Sequence, residues 1–126
     1  MADTAKYPIQ APISDYGNGG FRFADISHQG SLLLLPGGVY AWNVVEFSQL
    51  KSSDFQLVFD HNEKIDFLLL GCGPHLLNPD ADIRQAFDAH DIGLECMGTG
   101  AAVRTYNILL AEKRKIAAAV IAVENP

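Results

Sequence analysis

Ile65-Asp66-Phe67-Leu68-Leu69-Leu70-Gly71-Cys72-Gly73-Pro74 is the stretch on which the fold turns. An apolar run, unbroken from Phe67 to Leu70 and followed by two glycines and a proline, describes a buried strand that enters a tight loop. Such a strand needs neighbours and covering layers, and the residues that follow supply them. Asn78-Pro79-Asp80 opens a helix with Ile83, Phe87 and His90 at i, i+4 and i+7, on one core-facing stripe. Residues 93–97 make a short strand, and Gly98-Thr99-Gly100 makes a loop. A second helix runs from Ala101 to about Lys113, with Ala102, Tyr106, Leu109 and Leu110 turned inward. Residues 115–123 close the series. Their alanines would tolerate a helix, but their bounded length and Ile116, Val120, Ile121 and Val123 decide for a strand. Strand–helix–strand–helix–strand is a Rossmann-like βαβαβ half, with parallel strands, right-handed crossovers and helices over the sheet.

Upstream the rhythm is shorter. Phe21 and Phe23 alternate with Arg22 and Ala24, the pattern of a half-buried strand. His28-Gln29-Gly30 reads as a turn, residues 31–35 as an apolar strand, Pro36-Gly37-Gly38 as a second turn, and residues 39–45 as a third strand. On that strand Val39, Ala41 and Asn43 face one way, and Tyr40, Trp42 and Val44 the other. Three strands joined by glycine-containing turns predict an antiparallel meander. Ser52-Ser53-Asp54 caps a short helix carrying Phe55, Val58 and Phe59. Residues 1–15, with Pro8, Pro12 and few apolar anchors, read as an extended lead-in, mobile at its start. The expected whole is one domain over residues 1–126, a layered α/β sandwich in which the meander packs with the Rossmann-like half.

Composition narrows the partners. At 126 residues the chain buries roughly two-thirds of its unfolded surface, enough for a core without staples. A net charge of −6 argues against phosphate backbones, so no nucleic-acid partner is expected, and Lys113-Arg114-Lys115 is the one basic run. The two cysteines, Cys72 and Cys96, form no disulfide framework and suit a reducing compartment. Residues 1–10 lack the basic start and apolar stretch of a signal peptide, and runs such as residues 32–35 are too short to span a bilayer. A cytoplasmic protein with no transmembrane segment is the expectation.

Ligands of open α/β sheets sit beyond the carboxyl ends of the strands. Two loops lie at such ends, Gly71-Cys72-Gly73-Pro74 and Gly98-Thr99-Gly100, the second leading into the helix with Arg104, Tyr106 and Asn107. If the strands are parallel neighbours, these loops converge into a cleft. There the glycines admit a ligand, the helix start beyond Thr99 offers N–H groups to an anion, and Arg104 adds a fork of donors. Gly71, Cys72, Gly73, Thr99, Arg104, Tyr106 and Asn107 are therefore the candidate ligand-binding residues. The competing reading gives the glycines to tight turns, Thr99 to a helix cap and Arg104 to a structural ion pair. A dinucleotide fingerprint fails, because Pro74 and Pro79 stand where a third glycine should open a helix, and no Walker lysine follows. Cys72, His75, His90 and Cys96 are the residues to test as zinc ligands. His90 on a core-facing stripe and Cys96 within a strand argue against convergence, so neither metal nor cofactor is expected. Cys72 as a nucleophile has no evident base, and no G-x-S-x-G elbow exists. Trp42 with Tyr40 forms either an exposed aromatic patch or part of the core.

Two stretches carry a resemblance. Tyr16-Gly17-Asn18-Gly19-Gly20-Phe21-Arg22-Phe23, followed by Gly30-Ser31-Leu32-Leu33-Leu34-Leu35-Pro36, is the first; Thr99-Gly100-Ala101-Ala102-Val103-Arg104-Thr105-Tyr106-Asn107-Ile108-Leu109 is the second. From about Ile13 to Val123 the chain resembles the bacterial relatives of the third mitochondrial respiratory complex I assembly factor, a family of unknown molecular function. The resemblance implies a three-layer α/β fold with a mixed central sheet and no established catalytic activity. It further implies an accessory or assembly role through protein partners, such as membrane-complex subunits or insertion machinery. The chain departs from the family where Gly71-Cys72-Gly73 replaces a frequent Gly-Thr-Gly. A small-molecule (anion) binding protein or enzyme using the cleft is the rival expectation.

Overall fold

Five consecutive residues with no side chain larger than isoleucine, Ile116–Val120, form the middle strand of the main sheet in the computed structural model, which describes residues 5–126. In chain order the strands are β1 (Asp15–Gly17), β2 (Gly20–Phe23), β3 (Ile26–Gln29), β4 (Ser31–Leu35), β5 (Gly38–Trp42), β6 (Phe67–Gly71), β7 (Gly93–Met97) and β8 (Ile116–Val120). The helices are α1 (Gln56–Phe59), α2 (Ala81–Ala89) and α3 (Thr99–Ala111), with 3₁₀ turns at Phe47–Gln49 and Ser52–Phe55. The main sheet has the order β5-β4-β8-β6-β7, and β1-β2-β3 form a second, smaller sheet. β8 pairs antiparallel with β4 and parallel with β6, so the central sheet is mixed.

Alternation along the strands assigns the layers. Leu32 and Leu34 of β4 face α3 and the small sheet, together with Phe21, Phe23, Ala102, Val103, Tyr106 and Ala118. Leu33 and Leu35 face the other way, with Phe55, Val58, Leu68, Leu70, Ile83, Phe87, Ala117 and Ala119. The three layers are α1 with α2, the main sheet, and α3 with the small sheet. Alanines at 117, 118 and 119 are explained by this position. β8 lies at the centre of the sheet, all five of its residues are buried, and short side chains let α3 come close to the strands.

The N-terminal strands differ from the sequence expectation in one respect. The turn expected at His28-Gln29-Gly30 lies instead at Ala24-Asp25, whose φ angles of 47° and 63° suit a two-residue hairpin, while His28 and Gln29 belong to β3. Gly30, at φ 97°, then passes the chain from the small sheet to the main one. The antiparallel strands are thus shared between two sheets. Asn18-Gly19, a strong hairpin signal, joins β1 to β2. Trp42 belongs to the core: it packs 5.5 Å from Phe55 and donates its Nε1–H to the Asp54 carbonyl at 2.8 Å. β5 ends at Trp42, earlier than the residue 45 expected. His90 is exposed and stacks on Phe59 with centroids 4.1 Å apart, because α2 ends at Ala89 and releases it from the buried stripe.

Residues 5–14 are better anchored than their composition suggests. Ala11 and Ile13 are buried. The Lys6 N–H donates to Val39 O, and the Val39 N–H to Tyr7 O. Gln10 Nε2 donates to Ile116 O at 2.8 Å. The mobility expected at the very start falls on residues 1–4, outside the described residues.

Candidate functional site

β6 and β7 are adjacent and parallel, with Leu70 opposite Cys96 and Gly71 opposite Met97. Their trailing loops therefore lie side by side, as the cleft requires. The stitching between them is local and specific. Cys72 N–H donates to Met97 O, and Thr99 N–H to Gly73 O, both at 2.8 Å. Gly73 N–H donates to Thr99 Oγ1 at 3.0 Å, while the same hydroxyl donates to Ile121 O at 2.7 Å. Thr99 is 1 % exposed, and its side chain is spent on joining three segments. The N-cap of α3 is Gly98, not Thr99.

The glycines divide by role. A Cβ on Gly71 would lie 3.1 Å from Thr99 Cα and from Val120 Cγ1, so Gly71 lets the start of α3 sit against β6. Gly73 adopts φ +108°, a backbone conformation that L side chains rarely take, and turns the chain into the cleft wall.

A cleft of about 520 Å³ opens between these loops. Gly73, Pro74, His75 and Leu76 line one side, Gly98, Gly100, Ala101 and Arg104 the other, and Tyr16, Val123, Asn125 and Pro126 complete it. Arg104 is exposed, and among the described residues the one ion pair is Lys64–Asp91, so Arg104 faces the cleft without a carboxylate. The N–H groups of Gly100 and Ala101, in the first turn of α3, have no hydrogen-bond partner among the described residues. Of the predicted site residues, the structure brings Gly73 and Arg104 to the cleft, with Gly71 and Thr99 supporting its floor.

Cys72, Tyr106 and Asn107 point elsewhere. Cys72 is 2 % exposed, with its sulfur 3.5 Å from Leu77 O, on the α2 side of the sheet. Tyr106 is buried and donates its hydroxyl to Ala11 O at 2.7 Å, and burial pushes its phenol well above the ordinary value. Asn107 donates to Ile13 O and accepts from Ile13 N–H, at 2.8 and 2.9 Å. These two residues hold the lead-in against α3. Sequence reasoning missed Tyr16, whose hydroxyl lies so close to Gly100 that a Cβ there would collide with it. Only tertiary packing of the β1–β2 hairpin brings it there, so no local signal announces it. Cys72, His75, His90 and Cys96 form no group of three or more metal-ligating side chains among the described residues.

An uncharacterised protein of Rhodobacter capsulatus is 30% identical over 110 residues, covering 87% of this chain and 83% of its own length. The Drosophila melanogaster protein named NADH dehydrogenase [ubiquinone] 1 alpha subcomplex assembly factor 3 is 30% identical over 112 residues, 86% of this chain and 57% of that one. This chain thus spans little more than half of that named relative. A Bartonella henselae crystal structure, described as that of an outer membrane protein, superposes with a TM-score of 0.89 at 43% identity, over 94% of this chain and 99% of that one. No helix among the described residues is long and apolar enough to cross a membrane. The family model described as a protein of unknown function (DUF498/DUF598) matches residues 13–121, a span that holds both sheets, all three helices and most of the cleft, and the chain belongs to that family.

Proposed function

We propose that this protein is a non-enzymatic accessory or assembly factor that works by holding protein partners, on the cytoplasmic side, during biogenesis of a respiratory or other membrane complex. The relatives named as assembly factors support the assembly role. The observation that carries the partner-binding reading is the pair of leucines beside the cleft. Leu76 and Leu77 are 57 % and 44 % exposed in a loop that follows a fully buried strand end. Two adjacent apolar side chains held in water beside a concave surface give a partner an apolar foothold next to a cavity. Bound to a partner, they would surrender that exposure, with Arg104 free to meet a carboxylate at the rim. The test is affinity purification of the full chain from native membranes, alongside Leu76→Asp/Leu77→Asp. Defined partners recovered by the unmodified protein and lost with the variant uphold the reading. Identical recovery by both contradicts it.

A second reading rests on the unpaired Arg104 and the Gly100 and Ala101 N–H groups that share the cleft. They suit a small anion, and the reading makes the protein an anion-binding protein or enzyme. A thermal-shift series with inorganic phosphate, carboxylates and nucleotides, on the unmodified protein and on Arg104→Ala, separates the two. An anion that raises the melting temperature only when Arg104 is present supports the second reading, and no shift with any anion removes it.

A further inference from the structure

The two cysteines are brought together by the sheet. The register sets Leu70 opposite Cys96, so Cys72, two residues beyond Leu70, lies on the same face and diagonal to Cys96. Both side chains pack in the layer between the main sheet and α2, and the Arg84 guanidinium of α2 approaches the Cys96 sulfur at 4.0 Å. Cys96 sits half-buried on the edge strand, which gives a small solute a route to a pair that is otherwise covered.

We propose that Cys72 and Cys96 are a reversible redox pair, which a peroxide converts to an intramolecular disulfide whose closure moves the loop forming one wall of the cleft. In the first step the Cys72 thiolate attacks the peroxide. An S–O bond forms, the O–O bond breaks, and hydroxide leaves and takes a proton, giving the sulfenic acid and water. In the second step the Cys96 sulfur attacks that sulfur. The S–S bond forms, the S–O bond breaks, and the departing oxygen takes the Cys96 proton as a second water. Two thiols and one hydrogen peroxide thus give one disulfide and two waters, and an added thiol reverses the change.

The surroundings favour this division of roles. The neighbouring Cys96 thiol lowers the Cys72 thiol to about 7, while Cys96, beside that sulfur and desolvated, is held protonated. Arg84 is the charged group that faces the pair, while Glu95 adds its charge from the opposite face of β7. With strands about 4.8 Å apart and a rise of about 3.3 Å per residue, diagonal neighbours lie about 8 Å apart at Cα, wider than the roughly 4.4–6.8 Å a disulfide spans. Closure therefore pulls the chain at Cys72 towards β7. Gly73, Pro74 and Leu76, which follow directly, line the cleft and move with it. A bridge made under such tension is readily reduced, as a switch requires.

The test is intact-mass and peptide analysis of the full chain after brief treatment with hydrogen peroxide. Loss of two hydrogens per monomer, a Cys72–Cys96 linked peptide and return to the starting mass with dithiothreitol are expected. In Cys96→Ser the sulfenic acid persists at Cys72 and is captured by dimedone. Oxygen addition without loss of hydrogen in the unmodified protein, or linkage only between chains, overturns the proposal. Backbone amide shifts recorded before and after oxidation test the second half. Changes at Gly73, His75 and Leu76 are expected, and shifts confined to the cysteines and their immediate neighbours overturn the coupling to the cleft.

Discussion

Thr99 and Arg104 lie five positions apart on one helix and do opposite things. The Thr99 hydroxyl has both its bonds committed inside the protein, so Thr99→Val strands the Gly73 N–H and the Ile121 carbonyl in the core. That substitution is expected to cost about 2–6 kcal/mol by chemical denaturation, the sum of two buried groups left unpaired. Arg104 is exposed, and Arg104→Ala is expected to leave stability within about 0.5 kcal/mol while changing what the cleft holds. Equal costs for the two would mean that Arg104 is structural after all. At Cys72 the peroxide reaction follows the thiolate, so its rate should climb as pH rises through about 7 and level off above it, read by quenched mass analysis. A flat profile would contradict an activated Cys72. The sequence marked Gly71 and Gly73 together as ligand glycines. What separates them, the 3.1 Å approach of Thr99 to one and the φ of the other, exists only once α3 is packed.

Among the elements, the second half of the chain was legible because its periods are clean. The apolar run ending at Leu70 fits one strand, and the spacing of Ile83 and Phe87 fits one helical face. β7 matches residues 93–97 as expected. The alanine-rich β8 was harder, since alanine favours helices. Burial at the centre of the sheet outweighs that preference. The first hairpin was misplaced because Ala24-Asp25 carries none of the usual turn residues at its first position, while His28-Gln29-Gly30 ends in a glycine that serves as a crossing point between sheets. Alanine at positive φ costs roughly 1 kcal/mol that a better turn pair avoids. Ala24→Asn with Asp25→Gly is therefore expected to raise unfolding stability by about 1 kcal/mol. A loss of stability would show that the turn is held by contacts rather than by its own conformation. The lead-in was read as weakly anchored because its anchors lie on β5, β8 and α3, all distant in sequence. Asn107→Ala removes both bonds to Ile13 and should speed hydrogen exchange at the Ile13 amide while β6 amides stay protected.

Across the whole molecule, two features converge at one end of the sheet. The parallel pairing of β6 with β7 brings together the loops that form the cleft, and the same loop that walls it leaves Leu76 in water. The βαβ order predicted parallel strands but left their adjacency open, and in the β7–α3–β8 unit the two strands are separated by β6. The contributions of Tyr16, Val123 and Pro126 to the cleft did not follow from that order, because they depend on how the small sheet and the residues beyond β8 fold back over α3. Partner binding at this end is the claim on which the functional account stands. A photo-crosslinking side chain placed at position 76 of the full chain in living cells tests it, with position 112 as the control. Residue 112 follows the last residue of α3, about 12 Å by helical rise from Arg104, the cleft residue nearest that end of the helix. The account predicts discrete adducts with other proteins from position 76 and none from position 112. Equal adducts from both positions, or none from either, would contradict it.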